Sequence, residues 1–289
     1  MTKEPIIVTR ISGGLGNQMF QYAAGLAAAK RTGARLKLDM TWYGEELRED
    51  RRFSLRHFNI DAPFAEQDDL QRVSCNRLEQ DMTVFDKRIF DCSGDCHLLG
   101  YWVGASYFAG AENEVRRHLA FANPLVADYA TKYVERARKL GEGGPVVGMH
   151  VRRGDNTRAA NFNRFQVHPN AFYEQASAGF PPGSVFVVFS DSSLDLEWCE
   201  ANLPRRKDCA YIFSDGHSWL FDFAIMIACD HLIKSMSTFS WWAAWLNQAP
   251  GRQVICPHPI QGIGPLYAHV RQDEYVQPGW RVIDLPSVL

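Results

Sequence analysis

The chain has 289 residues, 46% of them hydrophobic and 12% aromatic, and a formal net charge of −2. That length holds one large or two ordinary domains at roughly 100–200 residues each, and the apolar content excludes a disordered chain. A net charge so near zero supplies no global field for nucleic acid, so any anion site must rest on a local cluster of positive charge.

Met1 to Pro5 lacks the long apolar core of a signal peptide. Ile6 to Ile11 predicts an opening strand, Ser12-Gly13-Gly14-Leu15-Gly16-Asn17-Gln18 a glycine-rich turn, and Met19 to Lys30 a helix. Such a strand, turn and helix bring backbone N–H groups and a helix amino terminus against negative charge. Ala34 to Asp39 predicts a second strand ending in an acid. Gly14, Gly16 and Asp39 form a partial dinucleotide fingerprint, but Met19 stands where the third glycine belongs. An NAD-dependent oxidoreductase is the alternative resting on those residues. Asn17 and Gln18 either contact a sugar or order the loop.

Residues 41–91 read as charged and irregular, with Arg48 to Arg52 a solvated face. Seven scattered cysteines without a Cys-x-x-Cys pair suit reduced thiols. Cys92 and Cys96, with His97 adjacent, lack a second ligand pair at metal-binding spacing, so no metal is expected. Gly100-Tyr101-Trp102 and Tyr107-Phe108 place aromatics near a strand end, either for the core or for stacking on sugar rings. The second use, without chemistry, would make the chain a non-catalytic glycan-binding protein. Glu112 to Leu119 and Ala127 to Leu140 predict helices, and Gly141 to Pro145 a boundary between domains 1–143 and 144–289.

Val146 to Val151 is an apolar run between glycine–proline punctuation and a charge cluster, the pattern of a buried parallel strand. It delivers His150, Arg152 and Asp155 to the carboxyl edge of a sheet, where open α/β sheets bind ligands. Two adjacent arginines there offer planar donor forks for phosphate. A surface Arg-Arg pair with Asp155 as a cap is the alternative. Asn156 to Val167 predicts a polar active-site loop and Pro169 to Ala178 a helix. Val185 to Phe189 predicts another buried strand leading to Asp191, either a ligand acid or a helix cap. Tyr211 to Phe213 predicts a strand and Trp219 to Cys229 a helix. The apolar run from Trp219 to Ile233 is broken by Asp222 and Asp230, too interrupted to span a bilayer, so the chain reads as soluble. Ser237 and Thr238 would cap a Trp-rich helix and leave its amino terminus for an anion. Val254 to Pro257 predicts a last strand, and Trp280 to Ile283 a tail.

Three blocks occur in order: Gly13-Gly14-Leu15-Gly16-Asn17-Gln18-Met19-Phe20-Gln21-Tyr22, His150-Val151-Arg152-Arg153-Gly154-Asp155, and Ser237-Thr238-Phe239-Ser240-Trp241-Trp242. Gly100-Tyr101-Trp102, Val188-Phe189-Ser190-Asp191 and Ala243-Ala244-Trp245-Leu246 support them. The set resembles glycosyltransferase family 11, the α-1,2-fucosyltransferases that use GDP-L-fucose. The resemblance implies an α/β fold of two Rossmann-like domains facing across a cleft, the GT-B type. The amino-terminal domain would take the acceptor and the carboxyl-terminal domain GDP-fucose. It places His150 and Arg152 at guanine-side and diphosphate contacts, Asp191 near guanine, and Ser237, Thr238 and Phe239 in the phosphate-side block. Gly14 and Gly16 join the nucleotide-sugar site, and Asn17 faces the sugar. Ser192, Asn156 and Ala243 depart from residues frequent in the family. The implied acceptor is a galactose-terminated oligosaccharide or lipid-linked glycan, as in lipopolysaccharide or O-antigen biosynthesis, handled in the cytoplasm near the inner membrane face.

The chemistry fits independently. Negative charge grows on the departing diphosphate of an oxocarbenium-like transition state, and Arg152, a helix terminus and hydroxyls can stabilise it. The chain has no Asp-x-Asp tripeptide, so a metal-independent, inverting transfer without a cofactor is expected. Asp155 is a candidate base, but Arg152 and Arg153 beside it would lower its pKa. Asn17 cannot serve as a strong base, and no base is assigned.

Overall fold

The computed structural model describes residues 4–45, 52–79, 84–92, 94–141, 143–157, 168–258 and 272–284, without the side chains of Glu45, Asp155, Gln272 and Asp273. Most of the expected loop from Asn156 to Val167, and Arg48 to Arg51 of the expected solvated face, lie outside these residues. Two compact units divide the chain: Met1–Ala122 with Asp273–Tyr275, and Asn123–Gln272 with Val276–Leu289.

The first unit runs β1 (Ile6–Arg10), α1 (Leu15–Thr32), β2 (Arg35–Asp39), α2 (Trp42–Glu45), α3 (Gln67–Arg72), β3 (Cys75–Leu78), β4 (Cys96–Leu99) and α4 (Glu112–His118). Its sheet is parallel throughout, in the order β2-β1-β4-β3. The branched run of β1 is buried along its length, as a strand covered on both faces requires. β3, by contrast, is short and polar and alternates between half-buried and exposed, which is why the sequence read there as irregular. Helix α1 starts at Leu15, four residues ahead of the expected Met19, with Gly14 as its N-cap. It ends on left-handed Gly33, whose N–H bonds Ala29 O. Its alanine-rich face lies so close to the sheet that a Cβ on Gly25 would meet Leu36 Cδ1 and Thr9 Cγ2 at 2.9 Å.

Strand alternation turns Arg10 and Asp39 to the opposite face. Asp39 is 1% exposed and accepts from His97 Nε2 at 3.0 Å, Arg10 Nε at 3.1 Å and Thr41 N at 2.8 Å. Burial alone would raise its pKa, but those three partners hold it well below the carboxylate range. The acid that the dinucleotide reading needed for a ribose is therefore committed to its own fold. His97 is likewise turned to Asp39, while the Cys92 and Cys96 thiols lie 3.0 Å apart. All seven cysteines are free thiols.

The second unit runs α5 (Pro124–Arg138), β5 (Val146–His150), α6 (Asn170–Ser177), β6 (Val185–Phe189), α7 (Ser193–Asn202), β7 (Ala210–Phe213), α8 (Trp219–Ala228), β8 (His231–Ile233), α9 (Thr238–Leu246) and β9 (Val254–Pro257). Next come α10 (Gln272–Tyr275), most of which belongs to the first unit, and β10 (Arg281–Ile283). Glu274 of α10 accepts from Ser106 N at 3.2 Å. The expected tail from Trp280 is thus in part a strand, parallel to β9.

This sheet is also parallel throughout, in the order β10-β9-β8-β5-β6-β7. The chain lays β5, β6 and β7 in one direction, then returns to the other side of β5 for β8, β9 and β10. That reversal beside β5 is the topological switch point of a doubly wound sheet. One face is packed with Met149, Phe172, Phe186, Val188, Ile233 and Ile255.

The division at Ala122/Asn123 precedes the expected boundary at 141–145. Asn123 caps α5 through Leu125 N at 3.1 Å, with Pro124 in the first turn. Tyr129 of that helix meets Phe221 of α8 with ring centroids 4.8 Å apart. The glycines at 141 and 144 instead serve close packing: a Cβ on either would lie 2.2 Å from Gly183 O. No helix among the described residues is long and apolar enough to cross a membrane.

Replacing Gly25 with alanine tests the close seat of α1. Helix propensity favours alanine by about 1 kcal/mol, but overpacking costs about 1–3 kcal/mol. Thr9 cannot swing away freely because its hydroxyl bonds Gln21 O. The expected net effect is a small destabilisation, read as a lower denaturant midpoint; a higher midpoint would show that the helix lifts without cost.

Candidate active site

The carboxyl ends of β5 and β8 meet at the switch point of the second sheet. His150 ends β5 and is 4% exposed; its Nδ1 lies 2.7 Å from Ser235 Oγ, just past β8. Burial, then the charges of Arg152 and Lys234, push its pKa down to about 3. His150 is therefore a neutral imidazole at working pH. The Phe239 ring lies 5.9 Å from it and 5.0 Å from Phe223, so the first turn of α9 is seated against β5. Ser237 is the N-cap of α9, its hydroxyl accepting from Phe239 N at 3.2 Å. Thr238 is the first helical residue. The tryptophans that follow pack inward, Trp241 and Trp242 being fully buried.

The two arginines after β5 part company. Arg152 forms an ion pair with Asp191. Arg153 instead stacks on the Trp198 ring of α7, 3.5 Å from its centroid, with Asp195 at 3.4 Å from its Nε. Asp191 also accepts from the Arg153 backbone N–H at 2.8 Å. Gly154, at φ +31°, lies over this carboxylate, where an added Cβ would sit 2.8 Å from Asp191 Cγ. Asp191, expected near guanine, is thus bonded to the arginine loop and fixes where Arg152 stands. Asp155 lies in the short turn Gly154–Thr157; its side chain is outside the described set.

Sequence reasoning missed four residues here. Ser235 completes the His150 pair. Lys234 is 1% exposed and donates to Ser235 O at 3.1 Å. His168 accepts from Met236 N at 3.2 Å, and burial followed by the Lys234 charge pushes its pKa down to about 3. Asp222, in the first turn of α8, accepts from Ser214 Oγ at 2.7 Å, and burial raises its pKa to about 6. Strand alternation alone could have flagged Ser235; the other three depend on contacts between distant segments.

The amino-terminal candidates belong to the first unit, at the carboxyl end of β1. Gly14 caps α1, Gly16 and Asn17 lie in its first turn, and no acid is present there. Gly13 takes the left-handed conformation at φ +72°, where a Cβ would lie 3.0 Å from Asn17 Nδ2 and 3.6 Å from Tyr101 Cε1. Gln18 orders the loop, donating to Gly13 O and Arg52 O at 2.9 Å and accepting from Ser54 N at 2.8 Å. Trp102 is buried against Tyr107 with a positive φ of 53°.

The family profile described as "Glycosyl transferase family 11" matches residues 2–281. The chain is 27% identical over 281 residues to an Escherichia coli alpha-1,2-colitosyltransferase, covering 88% of this chain and 92% of that protein. It is 27% identical over 244 residues to human galactoside alpha-(1,2)-fucosyltransferase 1, covering 81% of this chain and 64% of that protein. Its fold is similar to that of an Arabidopsis thaliana FUT1 mutant in complex with GDP, at a TM-score of 0.53 and 13% identity, covering 88% and 70% of the two chains.

The lowered pKa values of the buried His150 and His168 contribute an acid limit to stability. Each histidine binds no proton in the fold until about pH 3 but binds one near 6.5 when unfolded. Stability is therefore full above about pH 6.5 and falls as pH drops toward 3. Asp222 opposes this by one proton between about pH 6 and 3.8. Urea midpoints should decline from pH 7 to 4.5, and His150→Gln should flatten the decline. A wild-type midpoint that does not change would show that the imidazoles protonate inside the fold.

Proposed function

The chain belongs to glycosyltransferase family 11, and we propose that it transfers L-fucose from GDP-L-fucose to the 2-hydroxyl of a terminal β-galactoside, with inversion and without a metal or other cofactor. The observation that carries this reading is the convergence of the neutral His150–Ser235 pair, the Asp191-pinned Arg152 and the start of α9 at one switch point. A diphosphate placed there meets a guanidinium and backbone N–H groups that need no rearrangement as charge develops on it. Asp191 holds Arg152 to one orientation, which lowers the cost of ordering a long side chain during the reaction. With Asp191 so committed, Asp222 is the acid we assign to the donor edge of guanine, its second oxygen steadied by Ser214. Its raised pKa would fall once that edge donates to it.

The fucosyl and colitosyl names among the relatives support an α-1,2 linkage and leave two sugars to compare as donors. The galactoside acceptor rests on the fucosyl relative.

The first test is thermal melting in chelator with GDP, UDP and NAD. A ligand at ~100 times its dissociation constant stabilises by about 2.7 kcal/mol; a shift with GDP alone is expected, and a shift with NAD alone would refute the donor reading. Transfer from GDP-L-fucose to a β-galactoside should survive chelation. Its complete loss would refute the metal-free chemistry. Arg152→Ala should lower kcat by about 100- to 1000-fold, as for other preorganised anion donors. A near wild-type rate would show that Arg152 only shapes the loop.

A further inference from the structure

A buried lysine stands directly behind the switch point. Lys234 follows β8, is 1% exposed, and packs with its Nζ 5.7 Å from the Trp280 ring centroid. Its ammonium donates to Ser235 O at 3.1 Å, and Ser235 in turn bonds His150. Among the described residues no carboxylate pairs with it. An ammonium out of water without a counter-charge is costly, and a lysine whose only task was to fill space would be better replaced by methionine or leucine.

The charges around it sharpen the question. Arg152 is matched by Asp191. His150 on β5 and His168 ahead of α6 are neutral, and each feels the Lys234 charge. Cys256 on β9 faces Lys234 as a thiol whose pKa burial pushes up. Ser237 and Ser240 of α9 and the Trp280 ring bring no charge. The positive balance of this strand end therefore rests on Lys234, together with the partial charge at the start of α9.

We infer that Lys234 is a positioning residue of the donor site, a fixed buried charge that the diphosphate of a nucleoside diphosphate completes through the Ser235–His150 strand end. The inference rests on the donor reading above. The ligand supplies the missing negative charge, and the ammonium, one layer behind the contact surface, selects diphosphate over an uncharged nucleoside.

A consequence in pH follows. Burial lowers the pKa of Lys234 in the free protein, and an anion bound nearby raises it again. Where the free lysine is neutral, binding must draw in a proton, so affinity for the anion falls as pH rises through that range.

The test compares GDP with guanosine by calorimetric competition between about pH 7 and 10. The ratio of their affinities cancels the titration of guanine itself. In the wild type the ratio should fall on the order of 10-fold as pH rises, the usual size of such a coupling. Lys234→Met should lower it at pH 7 by a similar factor and remove its dependence on pH, while guanosine binds as before. A merely structural lysine would weaken both ligands together, and that outcome overturns the inference. So does a wild-type ratio that is flat with pH, which can be read even if the variant fails to fold. Failure of the wild type to bind GDP at all overturns the donor reading and this inference with it.

Discussion

Two buried polar side chains, His150 and Ser235, meet where the strand order of the second sheet reverses, and the candidate site is built outward from that meeting. A parallel sheet leaves a gap beyond its strand ends only where neighbouring connections run to opposite faces. Here that gap opens between β5 and β8, and the hydrogen bond closes its floor. A charged imidazole would not tolerate the surrounding apolar packing. Its neutrality allows a small hydroxyl to satisfy it and leaves positive charge to be supplied by neighbours.

Arg152 and Arg153 lie past the end of β5, and their side chains go to different partners. One is held by Asp191; the other lies flat on Trp198 and ties the loop to α7. An aspartate just past β6 thus restrains the arginine that follows β5. Helix α9 adds direction, since Ser237 fixes its first turn and Phe239 seats it on His150.

Much of this was legible in the residues themselves, and the failures have definite causes. Val146 to His150 and Val185 to Phe189 announce buried strands because every side chain except that of His150 is apolar and glycine or proline stands nearby. β8 and β10 are three residues each and carry no such signal. Gly14 and Gly16 suggested a turn, yet Gly16 is helical, since a glycine in a first turn is tolerated when the rest of the helix is rich in alanine. Gly141 and Gly144 suggested a linker, but their missing side chains admit the carbonyl of Gly183. Local pattern tells that a glycine is required and not which neighbour requires it. Lys234 and Asp222 gain their meaning only from contacts between distant segments, which no local window contains.

The return of Asp273–Tyr275 to the first unit, with Glu274 bonded to Ser106 N, bears on how such enzymes can be recombined. A chimera with a single crossover at Ala122/Asn123 takes that short turn from the wrong parent and mismatches it to the segment it holds. Three crossovers, at 122/123, 272/273 and 275/276, are needed to exchange either unit whole. The two units are therefore linked in inheritance more tightly than their separate sheets suggest.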